Sequence, residues 1–130
     1  MIIMTIRTDK PEAELGIYVG QKELACHQWQ AHRQLAETIN TEIKKILNKS
    51  SILPEQLQGI VCFKGPGSFT GLRIGLSVAN AMAYALDIPV VASSGQNWIQ
   101  AGIKKVQAGQ NDKIALPEYG RAPNVSQQRK

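Results

Sequence analysis

Residues 65–75, "GPGSFTGLRIG", hold the densest set of groups able to do chemistry. Gly65, Pro66, Gly67, Ser68, Phe69 and Thr70 form a loop that runs toward a helix start, with Gly71, Arg73 and Gly75 following. A glycine loop feeding a helix N-terminus offers free N–H groups and a favourable dipole to a phosphate. The hydroxyls of Ser68 and Thr70 are candidate nucleophiles, which need a base and an orienting acid. A Walker loop requires lysine after its last glycine; here Gly71 is followed by Leu72. Gly65, Gly67 and Gly71 miss the dinucleotide spacing by one residue. No Gly-x-Ser-x-Gly elbow surrounds Ser68. Both hydroxyls are therefore read as helix caps. His27 and His32 are five apart, where a helical zinc pair stands four apart. No acid in the nearby sequence completes a set, so no metal is expected. Cys26 and Cys62 have no metal-ligand spacing and are read as buried free thiols. Glu55 and Asp87 are read as exposed loop carboxylates without partners.

The elements that must position this loop follow from periodicity. Strands are expected over 1–7, 13–20 and 22–30, the last two joined by a tight turn at Gly20-Gln21. Leu35, Ile39, Ile43, Ile46 and Leu47 predict an amphipathic helix over 32–48. Pro54 opens a short helical turn, and "GIVCFKG" (59–65) is a buried strand. A helix over 70–86, a strand over 89–93 and a third helix within 95–106 complete the set. The order β-β-β-α-β-α-β-α predicts a single α/β domain with a mixed sheet. It is typical of the ribonuclease H-like fold, the half-unit of actin-like ATPases and sugar kinases. Residues 1–106 form that domain and 107–130 a basic tail, mobile without a partner.

The 70–86 helix is apolar on two sides. Gly71, Gly75, Ala79 and Ala83 recur every four residues and are expected to line an outward groove. Ile74, Val78 and Met82 are expected to face the sheet. Two helix glycines cost about 1 kcal/mol each relative to alanine, which a closely approaching partner helix would justify. Arg73 opposes the helix dipole and is expected to pair with an acid or a carbonyl.

The segment "GPGSFTGLRIGLSVANAMAYALDIPVVASS" resembles the signature region of the TsaB family, threonylcarbamoyladenosine biosynthesis proteins of bacteria. "ALPEYGRAP" (115–123) is similar to that family's C-terminal stretch. The resemblance implies a TsaB reduced to its N-terminal domain plus its terminal segment. It implies a non-catalytic scaffold or activator that binds a TsaD-like transferase and a TsaE-like ATPase, reaching tRNA through the complex. It also implies docking, or homodimerisation when alone, through the two helices, with Leu35, Ile39, Ile43, Gly71, Arg73, Gly75, Ala79 and Ala83 at the interface. No cofactor is implied. Two places depart from the pattern. Ile6-Arg7-Thr8-Asp9 puts arginine where the fold's phosphate-loop aspartate is expected, and His32-Arg33-Gln34 opens the first helix where the family has histidine, serine and an acid.

Composition sets the remaining bounds. A hydrophobic content of 43% suits a globular domain, and no apolar run is long enough to cross a membrane. With no signal-peptide pattern at Met1, a cytoplasmic location is expected. Most of the net charge of +5 lies from Lys104 onward. Two other readings stay open: a nucleotide-binding or hydrolytic enzyme using the 65–71 loop, and an RNA-binding module using the basic tail. The missing lysine and the arginine at position 7 argue against the first. Sparse aromatic residues among the basic ones argue against the second.

Overall fold

The computed structural model describes residues 1–118, the side chain of His32 excepted. Three strands, β1 (Ile2–Arg7), β2 (Glu12–Val19) and β3 (Lys22–Gln30), form an antiparallel meander. Gly20, at φ +59°, makes the turn between β2 and β3. A single 3₁₀ turn at His32–Gln34 leads into α1 (Leu35–Lys49), and a second at Pro54–Gln56 leads into β4 (Gly59–Phe63). Helix α2 (Phe69–Leu86), β5 (Val90–Ser93) and α3 (Trp98–Gln107) follow. The sheet order is β3-β2-β1-β4-β5, with β4 parallel to both β1 and β5. Parallel β4 and β5 are buried along their whole length, which is why they read as unbroken apolar runs.

Successive side chains point to opposite faces of a strand. Met4, Ile6 and, just past β1, Thr8 turn toward α2. Ile3, Thr5 and Arg7 turn to the other face, where α3 packs. On that side Phe63 meets Trp98 edge to face, with ring centroids 5.5 Å apart. A Cβ on Gly102 of α3 would press on Val61, and one on Gly59 would come 2.7 Å from Val106 Cγ1. Helix α1 covers β2 and β3. Trp29 Nε1 donates to Thr38 Oγ1 at 3.0 Å, and His27 hydrogen-bonds Glu42.

Residues 111–118, part of the expected 107–130 tail, lie against the domain. Asp112 N donates to the Val90 carbonyl at 2.9 Å, and its carboxylate accepts from Ala92 N at 2.8 Å. Asn111 Oδ1 accepts from Val90 N at 3.2 Å. Asn111 and Asp112, at the start of the strap 111–118, therefore satisfy three peptide groups on the outer edge of β5. The basic residues from Arg121 on lie outside the described residues.

Candidate partner face and signature loop

The signature loop and its flanks are held by three hydrogen bonds, two from residues 8–9 and one from the strap. Ser68 N donates to the Asp9 carbonyl at 3.2 Å, and Thr8 Oγ1 donates to the Gly71 carbonyl at 2.7 Å. From the strap, Glu118 N donates to the Lys64 carbonyl at 2.6 Å. Gly65 sits at φ +110° against the Glu118 carbonyl, a place and a conformation that exclude a side chain. The Gly65-Pro66 peptide is cis. Ser68 Oγ accepts from Gly71 N at 3.4 Å and so caps α2, as expected. Thr70 lies inside the first turn and is not a cap. Asp87, at φ +56°, closes the helix in the left-handed conformation.

The four small residues of α2 occupy the opposite side from the one expected. Gly75, Ala79 and Ala83 are buried, with Leu72 and Leu76 beside them. A Cβ on Gly71 would run into the Thr8 carbonyl, and one on Gly75 into Thr8 Oγ1. The stripe lets the helix approach β1 rather than a partner. The outward face carries Arg73, Ile74, Ser77, Val78, Ala81 and Met82, all exposed or half-buried. Periodicity identified two apolar faces but held no information on which one met the sheet. Leu35, Ile39 and Ile43 of α1 are likewise buried, at 5% exposure or less. Of the predicted interface residues, Arg73 is exposed, Gly71 is half-buried and the rest are buried.

A groove of about 420 Å³ runs between α1 and α2, bounded by Ala36, Ile39 and Asn40 on one side and Arg73, Ile74 and Val78 on the other. Arg73 makes no ion pair with the described residues. Its guanidinium lies over the Phe69 ring, 5.2 Å from the centroid. A larger cleft, about 810 Å³, opens at the end of α1 nearest the β1–β2 connection.

Three pairings were missed from sequence. Arg7 grips Asp9 with two bonds, Nε–Oδ1 at 2.8 Å and Nη2–Oδ2 at 3.2 Å. The same guanidinium lies 3.9 Å from the Phe63 ring centroid. The arginine that departs from the phosphate-loop pattern is thus engaged by an acid two residues on, and i, i+2 alternation on a strand was the available signal. Glu42 supplies the acid that His27 lacked in sequence; this bond, together with Lys45 at 3.2 Å, holds its carboxyl below the usual range against the opposing effect of burial. Asn80 clasps the strap, donating to the Ala115 carbonyl at 3.0 Å and accepting from Ala115 N at 2.7 Å. Cys62 is buried, which raises its thiol pKa, whereas Cys26 is exposed, against expectation. No cluster of three His, Cys, Asp or Glu with metal-binding geometry occurs among the described residues.

Comparison with known proteins places this geometry. The family described as "TsaD: tRNA N6-adenosine threonylcarbamoyltransferase" matches residues 29–113. The chain belongs to this family. The tRNA threonylcarbamoyladenosine biosynthesis protein TsaB of Bacillus subtilis (strain 168) is 42% identical over 59 residues, 45% of this chain and 26% of that protein. The TsaB of Buchnera aphidicola subsp. Schizaphis graminum (strain Sg) is 27% identical over 125 residues, 92% of this chain and 59% of that protein. YeaZ from Pseudomonas aeruginosa superposes with a TM-score of 0.67 at 24% identity, over 72% of this chain and 43% of that one. The fold is ribonuclease H-like, as the element order predicted. The TsaB-named relatives agree with the resemblance carried by the 65–75 motif. It spans between a quarter and three fifths of the length of these relatives.

Proposed function

We propose that this chain is a non-catalytic subunit in tRNA threonylcarbamoyladenosine biosynthesis, docking a TsaD-like transferase through the outward face of α1 and α2. A TsaE-like ATPase joins the same complex, and tRNA is reached through it. The chain works in the cytoplasm and pairs with itself when the transferase is absent. The observation that carries this reading is the groove between the two helices. Ile74 and Val78 leave apolar surface half-buried along it, and Arg73, Asn40 and Ser77 give it polar edges. An apolar strip with polar edges suits a protein interface.

The test is co-expression with the TsaD-like transferase of the same genome, followed by size-exclusion with light scattering. The wild type co-elutes with the transferase, and Ile74→Asp/Val78→Asp abolishes co-elution while keeping the native circular dichroism spectrum. A folded double variant that still co-elutes overturns the docking surface. Magnesium-dependent ATP turnover by the isolated chain, lost in Gly67→Val, overturns the non-catalytic assignment.

A further inference from the structure

The 810 Å³ cleft is separate from the helix groove except at Thr70 and Ile74, which line both. Its charged lining residues are Lys10, from the β1–β2 connection, and Arg33, from the turn before α1. Both are exposed, and neither has an ion-pair partner among the described residues. The nearest acid in sequence, Asp9, is taken by Arg7. Glu12, facing Gln30 across the β2–β3 ladder, does not line the cleft. Residues 119–130 contain no Asp or Glu to neutralise it. Ser68, Thr70, Gln30 and Gln34 add hydroxyl and amide groups to the same walls.

Two separate chain segments thus bring cations, unpaired among the described residues, to one concavity whose described lining contains no carboxylate. The low charge of the surrounding domain makes this local: most of the net charge lies from Lys104 onward, elsewhere in the sequence. A concave wall lined by one sign of charge concentrates the opposite ion. Arginine and lysine together, with hydroxyl donors beside them, form a donor set suited to phosphate oxygens. Pro11, Ala31 and Ile74 supply apolar wall for whatever group carries the phosphate. The volume lies within the usual range for small-molecule sites.

We propose that this cleft binds a phosphate-bearing ligand, held between Lys10 and Arg33. The site needs no turnover and leaves the helix groove unoccupied. Its phosphate comes either from a free nucleotide or from an RNA backbone, and the chemistry of recognition is shared.

The experiment titrates the purified full chain, by calorimetry at low salt, with inorganic phosphate, AMP, ATP and a 12-nucleotide single-stranded RNA. Lys10→Gln/Arg33→Gln is the test variant, and Lys104→Gln, an exposed lysine on α3, is the control. Both altered sites are on the surface, so each variant keeps its fold, checked by thermal melting. The expected result is binding of at least one phosphate probe, weakened about tenfold or more in the double variant and unchanged in the control. Binding by AMP or ATP identifies the nucleotide as the source. Binding by RNA alone, with steep salt dependence, identifies the backbone. Failure of every probe to bind, or binding equal in wild type and double variant, overturns the proposal. Co-elution with the transferase should be the same in wild type and double variant, so this result and that of the helix groove are read separately.

Discussion

Replacing Gly75 by alanine decides how α2 is oriented, because the two orientations predict opposite signs. If the small-residue stripe faced solvent or a partner, alanine would raise helix stability by about 1 kcal/mol. In the structure the new Cβ would overlap Thr8 Oγ1 and lie 3.0 Å from its Cγ2 and 3.1 Å from its Cβ. Thr8 is buried, β-branched and tied to the Gly71 carbonyl, so it has little room to yield. Overpacking of a tight core costs about 1–3 kcal/mol. Losing the Thr8 hydrogen bond adds about 1 kcal/mol or more. After subtracting the gain in helix propensity, Gly75→Ala is destabilising by about 1–3 kcal/mol. For a domain of this size that lowers Tm by about 4–12 °C. Thr8→Ala also destabilises alone, by removing that bond and leaving space. In the double variant the alanine Cβ at position 75 enters the vacated volume. The two changes should then be less than additive by about 1 kcal/mol or more. The assay is thermal and urea unfolding of the four proteins in one buffer. A Gly75→Ala variant that melts higher than wild type, or a cycle that is additive, refutes the inward orientation. Bulkier groups in the stripe, such as Ala79→Trp, should damage the sheet contact before they touch any partner.

Two further outcomes follow from the pairings. The Glu42 carboxyl titrates below its ordinary value of 4.5, chiefly through its hydrogen bond to His27. Its contribution to stability is therefore complete above that pH and lost as pH falls through the lower folded value; urea midpoints of Glu42→Gln should change less than wild type between pH 5 and about pH 3, and parallel curves would exclude the role. Asn80→Ala removes both bonds to Ala115. Amides of 111–118 should then exchange at least about tenfold faster with β1 and β4 unchanged, and unaltered protection would mean the strap is held from the β5 side alone.

Much of the fold was legible because each element carried its own period. The apolar residues of α1 fell at helical spacing, and β4 read as a buried strand because both its faces are covered. The turn at Gly20 and the helix end at Asp87 were marked by residues suited to left-handed backbone. The site was less legible, for a specific reason. A helix apolar on two faces has no single polar side to mark the outside. Small size then cuts both ways: Gly71, Gly75 and Ala79 suit close approach equally to a neighbouring helix or to a sheet. Only the position of Thr8, 63 residues before Gly71, distinguishes them. The Asn80–Ala115 clasp and the Glu118–Lys64 bond had no periodic signature, since an irregular strap bonds through backbone groups that every residue shares.

The strap changes how the signature motif is understood. Gly65 has no room for a side chain because the Glu118 carbonyl lies against it, and Gly67 is closed by Asp9, whose Oδ2 would be 3.1 Å from an added Cβ. Gly71 and Gly75 are closed by Thr8. All four glycines thus answer to contacts within this chain, three of them with Thr8 or Asp9 just past β1 and one with the strap. The motif is a packing code for fitting β1, the loop and α2 together at backbone distance. Such packing fixes the exit angle of α2, and with it the outward line of Arg73, Ile74 and Val78. A glycine loop built this way has Ser68 N committed to the Asp9 carbonyl and Gly71 N to Ser68 Oγ. The charged side chains available for phosphate recognition in the cleft are Lys10 and Arg33, which come from outside the loop.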